Sequence, residues 1–267
     1  MDMLGQDMLE QDMLEHTLNP FNGVVVNTDA LPADPEDFRQ QLLPSLEAWQ
    51  ARGHQVVWLE LPIERARLVP VATEAGFRFH HSSEEALTLT YRLQPEALIP
   101  HFATHYIGAG GVVLNSRQEL LVVCERHRRD RSRPYYKLPG GALHPGEHLV
   151  DAVIREVYEE TGVQARFEAL VCFRHWHGYR YHKSDIYFIC RLSPISQEIT
   201  IQPSEIEEAC WMPVAEYLNS EYVSVFNKRI VQAALECPGI VPTWIDGYDD
   251  PARYEFFMPV NGVDGRQ

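Results

Sequence analysis

The chain has 267 residues, of which 45% are hydrophobic and 23% are charged. This composition is typical of a globular protein with one large or two ordinary domains and excludes a disordered chain. The net charge of −15 argues against general nucleic-acid binding, which normally requires a basic surface. No apolar run approaches the length of a membrane span, and the N-terminus lacks the basic start of a signal peptide, so we expect a cytoplasmic protein without membrane contact.

The first 19 residues contain Asp-Met-Leu three times at a five-residue period. This period matches neither a helix nor a strand, so we predict a mobile N-terminal tail over residues 1–19.

Residues 20–97 are predicted to form a small α/β domain. Apolar periodicity predicts, in chain order, a strand at 23–26, a helix at 37–52, a strand at 56–61, a helix at 63–75 and two strands ending at 93. Pro44 and Pro70 lie inside the two helix patterns, and we expect them to kink or shorten these helices.

A second domain is predicted over residues 98–236. Strand patterns cover 108–114 and 120–124, interpreted as a hairpin, and then 165–174 and 185–192. A helix that begins at Leu149 is expected to pack between the strands, and another helix is predicted near 225–235. The expected architecture is α/β, with helix–sheet–helix layers. Residues 237–267 are predicted to be a C-terminal tail.

The segment from Gly141 to Val163 reads GALHPGEHLVDAVIREVYEETGV. Its second half has an apolar stripe on one helical face, and the carboxylates of Glu156, Glu159 and Glu160 lie at i, i+3 and i+4 on another face. Carboxylates at this density repel one another unless cations compensate them, and hard oxygen ligands suit Mg²⁺ or Mn²⁺. Taken alone, a Glu-Glu pair is usually a solvated helix face.

The whole segment fits the pattern G-x5-E-x7-R-E-U-x-E-E-x-G-U, where U is aliphatic, and therefore resembles the Nudix box. The resemblance implies an enzyme that uses divalent metal to cut the diphosphate bond of a nucleoside diphosphate linked to another group. It also implies an α/β/α sandwich with a mixed sheet. The implied metal ligands are Glu156, Glu159, Glu160 and the carbonyl of Gly140, and Arg155 with Glu147 would brace the loop against the helix.

A second resemblance covers residues 56–93, which are similar to the GNAT-like pre-Nudix domain of plant-type and antisense-FGF-type Nudix hydrolases. HYIGAG at 105–110, YKLPGG at 136–141, SDIYF at 184–188 and WMP at 211–213 also resemble that family. The resemblance implies ADP-ribose or NADH-type substrates and a homodimer. An EAGF turn is similar to the end of GNAT acyltransferases, but no Gly-rich pantetheine loop precedes it, so acyl transfer is not favoured.

Two further segments are predicted to contact the substrate. The stretch 125–137 is strongly basic, and Arg126, Arg128, Arg129 and Lys137 could steer or bind a polyanion, together with the backbone of Gly141. The ordinary alternative is a solvated basic loop. In FRHWHGYRYHK, residues 173–183, Arg174 and Tyr179 could contact phosphate and stack on a base, although such aromatic strands more often only pack.

Three questions stay open at this point. A tyrosine at position 179, 16 residues past Val163, resembles diadenosine-polyphosphate hydrolases, so the substrate has an alternative. For the general base we favour Glu205, in an acidic loop that could equally face water, with Glu159 as the alternative. A nucleotide sensor without turnover is the competing class of function, but the complete set of glutamates argues against it.

Overall fold

The computed structural model describes residues 13–248 and 250–259. The chain divides into two compact units, Met1–Ala103 and Thr104–Gln267. The first unit has one hydrophobic core and the second has two. The division falls a few residues after the boundary predicted between residues 97 and 98. Within the described part of the chain, no helix is long and apolar enough to cross a membrane.

The first unit is a five-stranded sheet, and two of the connections between its strands contain helices. Its elements are β1 (His16–Leu18), β2 (Val24–Val26), α1 (Pro35–Ala51), β3 (Val56–Pro62), a 3₁₀ helix (Ile63–Leu68), α2 (Val69–Glu74), β4 (Arg78–Ser82) and β5 (Ala86–Arg92). The strand order is β1-β2-β3-β5-β4. Strands β2 and β3 run parallel because α1 carries the chain back between them.

The predicted N-terminal tail is partly wrong. Strand β1 pairs antiparallel with β2, with His16 opposite Val26. The Leu14 side chain is buried in the core of this unit. A three-residue edge strand is too short to produce a recognisable alternation, and the five-residue repeat conceals it. Residues 1–12 of the predicted tail lie outside the described residues.

The two prolines have different effects. Helix α1 begins after Asp34, whose side chain accepts from the amides of Glu36 and Asp37, and it continues through Pro44 without ending there. The second helix pattern instead divides, because Pro70 lies in the first turn of α2, where a missing amide hydrogen costs little. The preceding residues form the 3₁₀ helix.

The second unit contains three sheets and three helices among the described residues. Its elements are β6 (His105–Val113), β7 (Glu119–Glu125), β8 (Tyr136–Lys137), β9 (Gly140–Ala142), α3 (Leu149–Thr161), β10 (Ala165–Arg180), β11 (Lys183–Pro194), β12 (Ile206–Pro213), α4 (Val214–Asn219), α5 (Val225–Glu236), β13 (Val241–Pro242) and β14 (Phe257–Met258). The strand orders are β10-β11-β6-β9, β12-β7-β8 and β13-β14.

The predicted hairpin of β6 and β7 is wrong in its pairing. The chain turns between them with an antiparallel bridge from Leu114 to Leu120 and a hydrogen bond from the Asn115 amide to the Glu119 carbonyl, but β6 and β7 themselves enter different sheets. Strand β6 pairs parallel with β11 and antiparallel with β9. Both strands are apolar on both faces, so their side-chain pattern does not specify which neighbour each one takes.

Two cores give the unit its layers. Val113 and Leu121 pack in one core with Val153 and Val157 of α3. The neighbouring Val112 and Leu120 point to the other core, where α5 contributes Ile230 and Val231, among others. Alternate residues of one strand face opposite sides of the sheet. The predicted helix–sheet–helix sandwich is therefore confirmed.

The predicted C-terminal tail takes part in the fold over its described residues. Ile240 exchanges backbone hydrogen bonds with Leu170 of β10. The ring of Phe257 in β14 lies 5.7 Å from that of Phe167. This contact could not be predicted from the sequence, because strands of two residues carry no periodicity.

Candidate functional site

Two glycines bring the loop before α3 close to its neighbours. At Gly140 the backbone has φ 148, and a Cβ would lie 2.2 Å from the carbonyl oxygen of Ala109. At Gly141 a Cβ would lie 2.6 Å from both carboxylate oxygens of Glu156. Only glycine allows the carboxylate of Glu156 to reach the backbone at this point.

Arg155 connects the loop to the acidic face of α3. Its Nε and Nη2 donate to the two carboxylate oxygens of Glu147 at 2.6 and 2.8 Å. Its Nη1 donates to Glu156 at 2.9 Å and to Glu159 at 3.0 Å. The hydrogen bond from Arg155 lowers the pKa of Glu147 to about 2. This bidentate pair holds the loop against the helix and offsets the repulsion between the glutamates.

Glu160 points to the inner side of the loop. The Gly140 amide donates to its carboxylate at 2.9 Å, and the Lys137 ammonium lies 3.6 Å from its other oxygen. Burial raises the pKa of Glu160 to about 7, against the opposing charge of Lys137. Lys137 also pairs with Glu125 at 2.6 Å. The buried carboxylate of Glu160 and the ammonium of Lys137 therefore hold the loop in place.

The oxygen donors of this region fit a hard divalent cation. The carboxylates of Glu156, Glu159 and Glu160 and the carbonyl of Gly140 are the ligand type that Mg²⁺ and Mn²⁺ prefer. Gly141 leaves the space that brings Glu156 to the loop backbone. Over residues 13–248 and 250–259, no three acidic, histidine or cysteine side chains already converge as a metal cluster. The cation in contact with Glu156 and Glu159 in this structure is Arg155.

A cavity of about 590 Å³ opens beside the loop. Lys137, Gly140 and Gly141 form the part of its wall that adjoins the α3 carboxylates. The remaining wall is rich in aromatic rings and includes Tyr106, Tyr135, Arg174, Tyr179, Arg180, Tyr181, Asp185, Tyr187, Ser224, Phe226 and Asn227. Glu156, Glu159 and Glu160 are not among the residues that line the cavity and lie behind this wall, whereas the cavity itself presents cations and rings suited to a nucleotide.

Several predicted residues lie elsewhere. Arg126 donates to the carbonyl of Pro203 at 2.7 Å. Arg128 pairs with Glu207 and donates to the carbonyl of Glu125, so it braces its own loop. Arg129 and Glu205 are exposed. None of these four residues is among those that line the cavity.

Most of the cavity wall was not predicted from the sequence, including the polar residues Glu125, Asp185 and Tyr187. Glu125 was visible only as one of two acids in the basic stretch. Asp185 and Tyr187 belong to SDIYF, a segment whose family resemblance did not by itself imply a role for either residue. The side chain of Tyr187 lies directly over Gly108 and Gly110, and a Cβ at either glycine would lie 2.7 Å from one of its atoms. The small residues of β6 were the available signal for this close approach.

Comparisons with known proteins agree with this geometry. The family model of the Nudix hydrolase domain matches residues 14–93, and that of the NUDIX domain matches residues 104–234. Nudix hydrolase 8 of Arabidopsis thaliana is 38% identical over 216 residues, which are 79% of this chain and 58% of that protein. The chain therefore spans less than two thirds of the length of this relative.

Two other relatives are covered more fully. Nudix hydrolase 2 of Arabidopsis thaliana is 40% identical over 77% of this chain and 74% of its own length. Nucleoside diphosphate-linked moiety X motif 6 of Homo sapiens is 32% identical over 82% of this chain and 71% of its own length. The chain belongs to the Nudix hydrolase family, whose members act on nucleoside diphosphate derivatives with the help of divalent metal ions.

Proposed function

We propose that this Nudix hydrolase cleaves the diphosphate of ADP-ribose or an NADH-type dinucleotide and releases AMP or another nucleoside monophosphate. The observation that carries the proposal is the junction of the α3 carboxylates, behind Gly140 and Gly141, with an aromatic cavity. Lys137 and Arg174 place positive charge in that cavity. In a substrate with a diphosphate between two ring systems, the diphosphate would lie near the carboxylates and cations, and the rings would lie against the aromatic wall.

The metal is proposed to be Mg²⁺ or Mn²⁺, held by Glu156, Glu159, Glu160 and the Gly140 carbonyl. When bound, it would neutralise phosphate oxygens and lower the pKa of a coordinated water. The ion pair between Arg155 and Glu147 holds the loop in position beside these ligands. Lys137 and the Gly141 backbone contact the phosphates, Tyr179 stacks on the base, and Arg174 contacts a phosphate or the nucleoside. Arg126, Arg128 and Arg129 act from outside the cavity, through their field on an approaching anion.

A carboxylate must accept the proton of the attacking water. Glu205 is the proposed base and Glu159 the alternative, although the exposed side chain of Glu205 must then act from the loop beside β12. A general base contributes about 10² to 10⁴ to the rate. We therefore expect Glu205→Gln to lower kcat at least tenfold at saturating metal. A smaller loss would transfer the role to Glu159.

The proposal is tested by product-resolved chromatography with Mg²⁺ or Mn²⁺ against ADP-ribose, NADH, NAD, diadenosine polyphosphates, coenzyme A and nucleoside triphosphates. We expect metal-dependent AMP from ADP-ribose or NADH, lost in Glu159→Gln. Removal of the metal with EDTA should abolish product without unfolding the protein. Equal turnover of every compound would contradict the substrate class.

One observation supports a second substrate. Tyr179 lines the cavity, and a tyrosine at this position resembles diadenosine-polyphosphate hydrolases. ATP or ADP among the products of a diadenosine polyphosphate, at a higher kcat/KM than for ADP-ribose, would favour this alternative. Ligand binding without any product would instead indicate a nucleotide sensor.

We also propose, from the family resemblance, a cytoplasmic homodimer. Gel filtration with light scattering should give twice the mass of one chain, 30.7 kDa. A monomer at micromolar concentration would contradict the dimer.

A further inference from the structure

An ion pair between a buried carboxylate and a half-buried arginine crosses two strands in the wall of the cavity. Asp185 of β11 is only 5% exposed. It pairs with Arg174 of β10, which lies opposite Tyr187 in the strand register. Asp185 is therefore a diagonal neighbour of Arg174 on the same face of the sheet. Both residues line the cavity.

The guanidinium of Arg174 is held on several sides. Its central carbon lies 5.2 Å from the ring centroid of Trp176, 5.4 Å from that of Tyr187 and 5.5 Å from that of Phe226. Nη2 donates to Asp185. A planar cation fixed by rings and a carboxylate has few orientations left, which is the condition for directional recognition.

The guanidinium of Arg174 keeps free donors, because its one hydrogen bond among the described residues runs from Nη2 to Asp185. The Nε of Arg174 is buried and has no hydrogen-bond partner among the described residues. A ligand atom cannot reach this enclosed nitrogen, so the exposed part of the guanidinium is what an acceptor in the cavity can meet. The charge of Arg174 is already matched by Asp185, so what the pair offers a ligand is a directed hydrogen bond rather than net positive charge.

We infer that Asp185 is a positioning residue that fixes Arg174 so that the exposed part of its guanidinium donates to an oxygen acceptor of the bound nucleotide. The inference rests on the proposed function, because it assumes that the cavity holds a nucleotide. The acceptor is either a phosphate oxygen or an oxygen of the nucleoside. Asp185 itself does not contact the ligand and acts only through Arg174.

The test is isothermal titration calorimetry, in which ADP-ribose, AMP and adenosine are each titrated into the full chain with EDTA present. Asp185→Asn and Arg174→Gln should each raise the Kd for ADP-ribose at least fivefold. The double variant should be no more than about twofold weaker than Arg174→Gln alone, since the two residues act as one unit. Loss confined to AMP and ADP-ribose would identify a phosphate acceptor, and loss shared by adenosine a nucleoside acceptor.

Arg174→Lys separates the donor from the charge. A lysine keeps the positive charge beside Asp185 but lacks the planar array of guanidinium donors, so it should bind as weakly as Arg174→Gln. In turnover, these variants should raise KM more than they lower kcat. The matched control is Glu168→Gln, which removes an ion pair with Arg191, 3.2 Å away, between the same two strands and outside the cavity. Its Kd should equal that of the wild type.

A failure of the proposed function can be distinguished from a failure of this inference. If the wild-type chain binds and turns over none of the nucleotides, the proposed function and this inference fall together. If the wild type binds but Asp185→Asn retains its Kd, or the two substitutions add fully, Asp185 has only a structural role. If Asp185→Asn does not fold, wild-type affinity in Arg174→Lys would by itself overturn the inference.

Discussion

Gly141 sets how near the carboxylate of Glu156 comes to the loop that precedes α3. A single methyl group at this position would overlap both carboxylate oxygens. The conformational freedom of glycine is not the reason for its presence, because Gly141 is absent from the residues with positive φ. The constraint is the space between backbone and carboxylate.

We therefore expect Gly141→Ala to displace Glu156 and weaken metal binding about tenfold, within the 10- to 100-fold range typical of residues that orient metal ligands. The measurement is the concentration of Mg²⁺ that gives half-maximal activity.

Gly146→Ala is the matched control in the same loop. Gly146 has φ 78 and no atoms within 4 Å of an added Cβ. This variant should lose about 1 kcal/mol of stability through backbone strain and keep the wild-type requirement for Mg²⁺. The same metal requirement in both variants would contradict the role of Gly141.

At the scale of elements, α1 shows how packing overrides a local signal. The helix has 17 residues and contains Pro44 in its interior. Phe38, Leu42, Leu46 and Trp49 bury one face in the core of the first unit. This burial stabilises the helix by more than the missing hydrogen bond and the proline ring destabilise it.

Replacing that proline should therefore stabilise the first unit. We expect Pro44→Ala to raise the free energy of unfolding by about 2 kcal/mol, because it restores an amide donor within the helix. Urea unfolding followed by circular dichroism would measure the change. Glu47→Ala, at an exposed position of the same helix, should change the stability by less than about 0.5 kcal/mol. A loss of stability in Pro44→Ala would show that the proline ring packs favourably.

At the scale of the whole chain, the C-terminal segment completes the helix that carries the glutamates. His148 makes no side-chain cap for α3. The carboxylate of Glu255, more than 100 residues later, accepts from the amides of Leu149 and Val150 at 2.9 and 3.1 Å. His148 in turn contacts the carbonyl of Pro251 at 2.7 Å. A distant segment thus supplies the missing cap.

Glu255→Gln should destabilise the second unit by about 1 kcal/mol, since the neutral amide is a weaker acceptor at a helix N-terminus. Thermal unfolding would report the loss, and hydrogen exchange should show it first in the opening turn of α3. Asp246→Asn changes an exposed carboxylate of the same segment and should leave both readings unchanged. Unaltered exchange in Glu255→Gln would mean that the cap contributes nothing to the helix.

The sequence by itself determined the features that depend on local spacing. The helical register of Glu156, Glu159 and Glu160 and the stop at Gly162 follow from 3.6 residues per turn and from a left-handed C-terminal glycine. The layering of the second unit followed from two amphipathic helix patterns and from strands that are apolar on both faces. These features require only a few consecutive residues, so they can be read before the chain is folded.

Only the tertiary structure decided which distant residues meet. The separation of β6 from β7, the pairing of Asp185 with Arg174 and the cap from Glu255 all join segments whose own sequences are compatible with several partners. Likewise, the basic stretch gave Lys137 to the cavity and Arg128 to its own loop, although both are cations in one run. Side-chain direction and strand partnership are set by packing across the whole unit, which local patterns do not encode.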